Sequence, residues 1–143
     1  MKVKNVELKN KTVLVTGSAG FIGSNLVLEL LKTQSPIKIV GIDNMNDYYD
    51  VSIKEWRLTE IEKEAAKHPE SSYNFIRGDI ADRAAIDDIF NTYHPDVVVN
   101  LAAQAGVRYS ITNPDAYVNS NLIGFYNILE ACRHSYDNGA KGV

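Results

Sequence analysis

A single cysteine, Cys132, rules out an internal disulfide, and its place in a helical pattern makes a buried thiol the plain reading. Basic runs are absent too: 15 Lys and Arg against 18 Asp and Glu give a formal net charge of −3. That balance offers no electrostatic footprint for nucleic acid and no cationic face for a membrane surface. The N-terminus, MKVKNVELKNK, lacks the apolar centre of a signal sequence. Nowhere do the roughly 18 apolar residues of a membrane span run together. Internal repeats and low-complexity tracts are missing as well. What these absences leave is a cytoplasmic globular protein, whose 143 residues fit one domain, 1–143, with room for a hydrophobic core.

What is present centres on VLVTGSAGFIG, Val13 to Gly23. Thr12 to Thr16 is an apolar, β-branched run suited to a strand buried on both faces of a parallel sheet. Glycines follow at 17, 20 and 23, and then Ile22, Leu26, Val27, Leu30 and Leu31 recur at helical spacing. A strand that runs through such a turn into a helix presents backbone N–H groups to a phosphate, here from Gly17, Ala19, Gly20, Phe21, Ile22 and Gly23. Gly17 serves a tight turn, Gly20 lets the backbone approach a pyrophosphate, and Gly23 lets the helix lie close to the strand. The spacing is G-x-x-G-x-x-G, with Ala19 where the commoner pattern has its second glycine.

The alternation then repeats. Residues 1 to 10 read as a polar lead-in. Ile37 to Ile42 is a second strand ending in Asp43, and NMNDYYD is a loop. Ser52 to Lys67 has helical character, with Ile53, Trp56, Leu58 and Ile61 as inward candidates. Tyr73 to Arg77 is a third strand, and Asp82 caps a helix carrying Ile86, Ile89 and Phe90. Pro95 to Leu101 is a fourth strand, and Ala102 to Asn113 a loop. Pro114 opens a long helix whose apolar face is Val118, Leu122, Phe125, Ile128, Leu129 and Cys132, followed by a polar tail from His134 to Val143. Four strand–helix alternations predict an α/β fold, a doubly wound parallel sheet with the first and fourth strands adjacent and the ligand beyond the strand ends.

Those ends form one candidate site. Asp43, twenty residues past Gly23, can accept hydrogen bonds from both ribose hydroxyls of an adenosine and repel a 2′-phosphate, which points to NAD over NADP. Neither Asn44 nor Met45 is an arginine that would reverse this, and Asn44 and Asn46 join the same end of the site. Asp79 and Ile80 suit an adenine, the carboxylate for its amino group and the apolar side chain for a ring face. Leu101, Ala102, Ala103 and Gln104 leave room for a cofactor to cross the sheet, although close helix–sheet packing explains the alanines equally well. Asn121 projects from the last helix toward either the cofactor or the preceding loop, and Gly124 implies that something approaches that helix closely.

Together, TGSAGFIG, Asp43, GDI at 78–80, LAA at 101–103 and NLIGFYNILEACR resemble the extended short-chain dehydrogenase/reductase family, in order and spacing, from Lys11 to about Arg133. Within it, DNMNDYYD, LAAQAGVRYS and NPDAYVNSN are most similar to UDP-glucuronate 4-epimerases. The resemblance implies a Rossmann-type sheet and NAD as cofactor. It also implies a UDP-sugar as substrate of the full-length enzyme, oxidised at C4 and re-reduced on the opposite face. Val107 and Arg108, beside Ser110, align with a loop bordering the sugar nucleotide.

The family's catalytic Tyr-x-x-x-Lys is not found: none of the eight tyrosines has a lysine four residues on, so no catalytic residue is assigned. No metal site is assigned either. The expected fold is therefore truncated after the fourth strand and its following helix, without a substrate lobe and inactive by itself. Its fourth strand, Val97 to Val99, would be an exposed apolar edge that invites self-association. Three other readings stay open: a non-catalytic nucleotide-binding module, the N-terminal part of a nucleotide-sugar dehydratase, and an S-adenosylmethionine-dependent methyltransferase.

Overall fold

A computed structural model describes residues 6–139. Four parallel strands, β1 (Thr12–Thr16), β2 (Lys38–Asp43), β3 (Ser72–Arg77) and β4 (Val97–Asn100), lie in the order β3-β2-β1-β4. The register sets Thr16 beside Ile42 and Asn100, and Asp43 beside Arg77, so all four chains leave the sheet at one edge. Helices α1 (Phe21–Thr33), α2 (Val51–Ala65), α3 (Arg83–Tyr93) and α6 (Phe125–Asp137) cover its faces. Short turns α4 (Tyr109–Thr112) and α5 (Pro114–Tyr117) and a wide π-helical segment, Val118–Gly124, lead into α6.

Alternation along the strands builds two cores. Val13, Val15 and Ile39 point one way and pack with Val27, Leu30 and Leu31 of α1 and Ile61 of α2. Leu14, Val40 and Ile42 point the other way and meet Ile86, Ile89 and Phe90 of α3 and Ile128 and Ala131 of α6. Asp82 caps α3 as expected, its carboxylate accepting from the Ala85 N–H at 3.2 Å.

The helix faces depart from the apolar pattern in three places. In α1, Ile22 is 67% exposed, because Gly23 and Ser24 take the inward positions beside the turn. In α2 the buried positions are Lys54, Ile61 and Glu64; Trp56 and Ile53 face solvent and Leu58 is half-buried. Ion pairing replaces hydrophobicity on that face, with Lys54 held by Asp43 and Glu64 by Lys67 and His68. In the last helix the inward positions are Gly124, Asn127, Ile128 and Ala131, while Val118, Leu122, Phe125 and Leu129 are exposed. The π segment displaces the helical register, and small residues set which side closes on the sheet: a Cβ at Gly124 would lie 2.5 Å from Ile80 Cγ1. Cys132 is half-buried rather than fully buried, and desolvation pushes its thiol pKa up. The expected tail is helical as far as Asp137; its last four residues, like residues 1–5 of the lead-in, lie outside the described residues.

Candidate functional site

Where the four strands end, a cleft of about 320 Å³ opens. Its floor is the glycine turn. Gly17 has φ +66°, a left-handed conformation, and a Cβ there would sit 2.9 Å from Ala102 N, where the end of β4 passes. A Cβ on Gly23 would overlap the Gly17 carbonyl, so the third glycine is what lets α1 start this close to the turn. Gly20 lines the cleft and caps α1 without a side-chain hydrogen bond, which leaves the first-turn N–H groups to whatever lies in front of them. These are the requirements of an anion cradle at a helix N-terminus. Ala19 is fully buried behind it.

Thr16 locks the first and fourth strand ends together. Its hydroxyl donates to Asn100 Oδ1 at 2.5 Å and accepts from the Leu101 and Ala102 N–H groups at 3.0 Å each. Leu101, Ala102, Ala103 and Gln104 therefore run along the cleft as expected. Asn121 does not line it: its Oδ1 accepts from Gln104 N at 2.8 Å and its Nδ2 donates to Gln104 O at 3.0 Å. Of its two possible partners it takes the loop, which it holds in place.

Asp43 ends β2 on the cleft wall, 7% exposed. Its Oδ2 accepts from Ala19 N at 3.1 Å, and its Oδ1 from Met45 N at 2.9 Å and Lys54 Nζ at 3.5 Å. The Met45 bond holds that residue at φ +56°, a conformation seldom adopted by a side-chain-bearing residue. A carboxylate has about four acceptor sites. Three are occupied, two on Oδ1 and one on Oδ2. Asn44 Nδ2 donates to Asp79 Oδ2 at 3.2 Å, and Asp79 Oδ1 accepts from Ala81 N at 2.9 Å. Asn44, Asn46 and Asp79 thus line the same end. Ile80 borders the cleft but is 4% exposed, its branched end lying under Gly124 rather than forming an open platform.

The sequence pattern missed the outer wall, which comes from the excursion between β2 and β3. Lys54 and Arg57 of α2 line the cleft with Tyr48 and Tyr49. Lys54 Nζ also reaches Asn46 Oδ1 at 3.2 Å. Arg57 donates to Ala19 O at 3.3 Å and lies 5.8 Å from the centre of the Phe21 ring, which is itself exposed on the rim. The rings of Tyr48 and Tyr109 approach to 4.9 Å, clasping the loops after β2 and β4 together, and Tyr117 donates to the carbonyls of Ala105 and Gly106 within the segment after β4. Desolvation, then the neighbouring tyrosines, pushes the Tyr117 hydroxyl pKa up. A Lys-x-x-Arg pair in a helix after Asp43 is the signal that would have found this wall.

Val107 and Arg108 are not brought to the cleft. Both are exposed, Val107 at 87%, because the Ser110 hydroxyl bonds to the Val107 carbonyl and turns the loop outward into α4. Among the described residues no group of three or more His, Cys, Asp and Glu gathers as a metal would need, and no helix is long and apolar enough to cross a membrane.

The family model described as GDP-mannose 4,6 dehydratase matches residues 14–141. The chain is 48% identical over 122 residues to Protein CapI of Staphylococcus aureus, covering 85% of this chain and 34% of that protein. It is 45% identical over 117 residues to the UDP-glucuronate 4-epimerase of Thermodesulfobacterium geofontis, covering 82% and 34%. A similar solved structure is UDP-glucuronic acid 4-epimerase from Bacillus cereus in complex with UDP-glucuronic acid and NAD. It has a TM-score of 0.73 and 35% identity, covering 86% of this chain and 36% of that one. The chain spans about a third of the length of the relatives it matches.

Proposed function

The chain belongs to the GDP-mannose 4,6 dehydratase family, and on that premise we propose that it is the NAD-binding portion of a nucleotide-sugar 4-epimerase of the UDP-glucuronate/UDP-galacturonate type. The membership agrees with the motifs shared with extended short-chain dehydrogenases/reductases. The observation that carries the reading is the juxtaposition, in one cleft, of an uncapped glycine-lined helix start and the Asp43 carboxylate.

The residues present fit the cofactor. A cradle that a Cβ would fill suits a pyrophosphate, which Gly17, Gly20 and the first-turn N–H groups of Phe21, Ile22 and Gly23 would hold. Asp43 would take a ribose hydroxyl, Asn44, Asn46 and Asp79 would border the adenosine, and Leu101 to Gln104 would lie along the nicotinamide side. NAD, when bound, supplies a hydride acceptor for the sugar C4 position. What this chain does is bind and orient: Thr16 fixes the strand ends, Asn121 fixes the Gln104 loop, and Lys54 holds the Asp43 carboxylate in place.

Proton removal from the C4 hydroxyl has no agent in these 143 residues, since no tyrosine is followed by a lysine four residues on. The chain by itself therefore does not epimerise. Incubating it with NAD and UDP-glucuronate should give no UDP-galacturonate above background, and product would overturn this. The half-buried Val97–Val99 edge of β4 pairs with β1 alone among the described residues, which supports self-association there. A monomer by light scattering would refute it. A lone cysteine fits a reducing, cytoplasmic setting.

A further inference from the structure

We infer that Lys54 and Arg57 form a phosphate-accepting subsite beside Asp43, so that the cleft tolerates an adenosine 2′-phosphate and Asp43 alone holds the preference for NAD. The inference rests on the NAD reading above and concerns only the adenosine end of the cleft.

A lone carboxylate at the end of a second strand would repel a phosphate, but Asp43 is not alone. Lys54 Nζ lies 3.5 Å from its Oδ1, and the two side chains are 8% and 7% exposed, so the wall at this point carries a buried pair with no net charge. An ammonium has three N–H donors. Asp43 and Asn46 take two, leaving one on a residue that lines the cleft. Arg57 is tied to the same spot through one residue: Ala19 gives its N–H to Asp43 and its carbonyl to Arg57. The guanidinium spends one of its five donors there, and Arg57 lines the cleft. Asp79 is the other carboxylate on this wall, and its oxygens are engaged by Asn44 and Ala81. Two cations therefore balance two carboxylates along this wall, with Asp79 turned to Asn44 and Ala81, and a single charge change beside Asp43 tips the balance.

The test is calorimetric titration of the chain with NAD and with NADP, comparing wild type, Lys54→Met, Arg57→Met and Asp43→Asn. Each lost cation should worsen the NADP-to-NAD affinity ratio by about tenfold, the worth of one charge-assisted hydrogen bond. Asp43→Asn should improve the ratio by about tenfold or more on the same reasoning. If Asp43→Asn does not fold, the two cation variants, which keep the backbone bonds of Asp43, decide alone. NAD binding with a ratio unmoved by Lys54→Met and Arg57→Met overturns the subsite and leaves the proposed function standing. Failure of both dinucleotides to bind overturns both.

Discussion

The floor and the outer wall of the cleft are made of different material. The floor is backbone: a left-handed Gly17, a bare Gly20 and a Gly23 pressed on the Gly17 carbonyl, with Thr16 pinning the end of β4 beside them. The wall is side chain: Lys54, Arg57 and the tyrosines of the long excursion, held by an ion pair and by aromatic contacts. A backbone floor admits almost no substitution but reads only phosphate. A side-chain wall tolerates change, and each change alters which nucleotide fits.

The junction between them is the most sensitive point. Asp43→Ala would strand Lys54 as a buried, unpaired charge and release two backbone donors, with an expected loss of about 3–5 kcal/mol in denaturant unfolding. A loss under about 1 kcal/mol would mean the pair contributes no more than a surface one. On the floor, Gly17→Ala combines a left-handed backbone with overlap against Ala102, for an expected loss of about 2–4 kcal/mol.

Within the wall, Ile61→Ala should cost about 2–4 kcal/mol and Trp56→Ala about 0.5 kcal/mol or less, since the first is fully buried and the second 61% exposed. Equal effects would mean that the helix face is misassigned.

A small effect is expected behind the floor as well. The hydroxyls of Ser18 and Tyr73 are buried side by side over Gly41 without a hydrogen-bond partner. Burial raises the Tyr73 pKa from 10.0 to about 12. A group raised in the folded state stabilises fully below its unfolded value, so this contribution holds below pH 10 and is lost as pH climbs through 12. Tyr73→Phe should change neutral-pH stability by no more than about 1 kcal/mol and remove that alkaline fall in thermal melts.

The same division explains what could be read in the chain. Floor residues announce themselves locally: glycines at fixed spacing between a β-branched run and an apolar helix, an acid after the second strand, Asp82 before α3. That the first and fourth strands are neighbours followed from the doubly wound alternation. The wall was illegible to an apolar count because α2 buries Lys54 and Glu64 and exposes Trp56. Lys54 is buried by its pairing with Asp43, which lies on another element and which no helical periodicity encodes, while Glu64 pairs at helical spacing with Lys67 and His68, a signal of charge rather than of apolar count. The last helix misled for a related reason: a π segment displaces the register, and Gly124 and Ala131 rather than the large side chains choose the packed side.

The floor is proposed to hold a dinucleotide pyrophosphate, and Gly20→Val tests this most directly. Gly20 has φ −72°, which other residues adopt, and a Cβ there meets only the Gly17 carbonyl oxygen at 3.1 Å, so the fold should survive with a slightly lowered thermal melt. Saturable NAD binding to the wild-type chain is expected, weakened about tenfold or more by a side chain set into the cradle. Undiminished NAD binding by a folded Gly20→Val variant would contradict it.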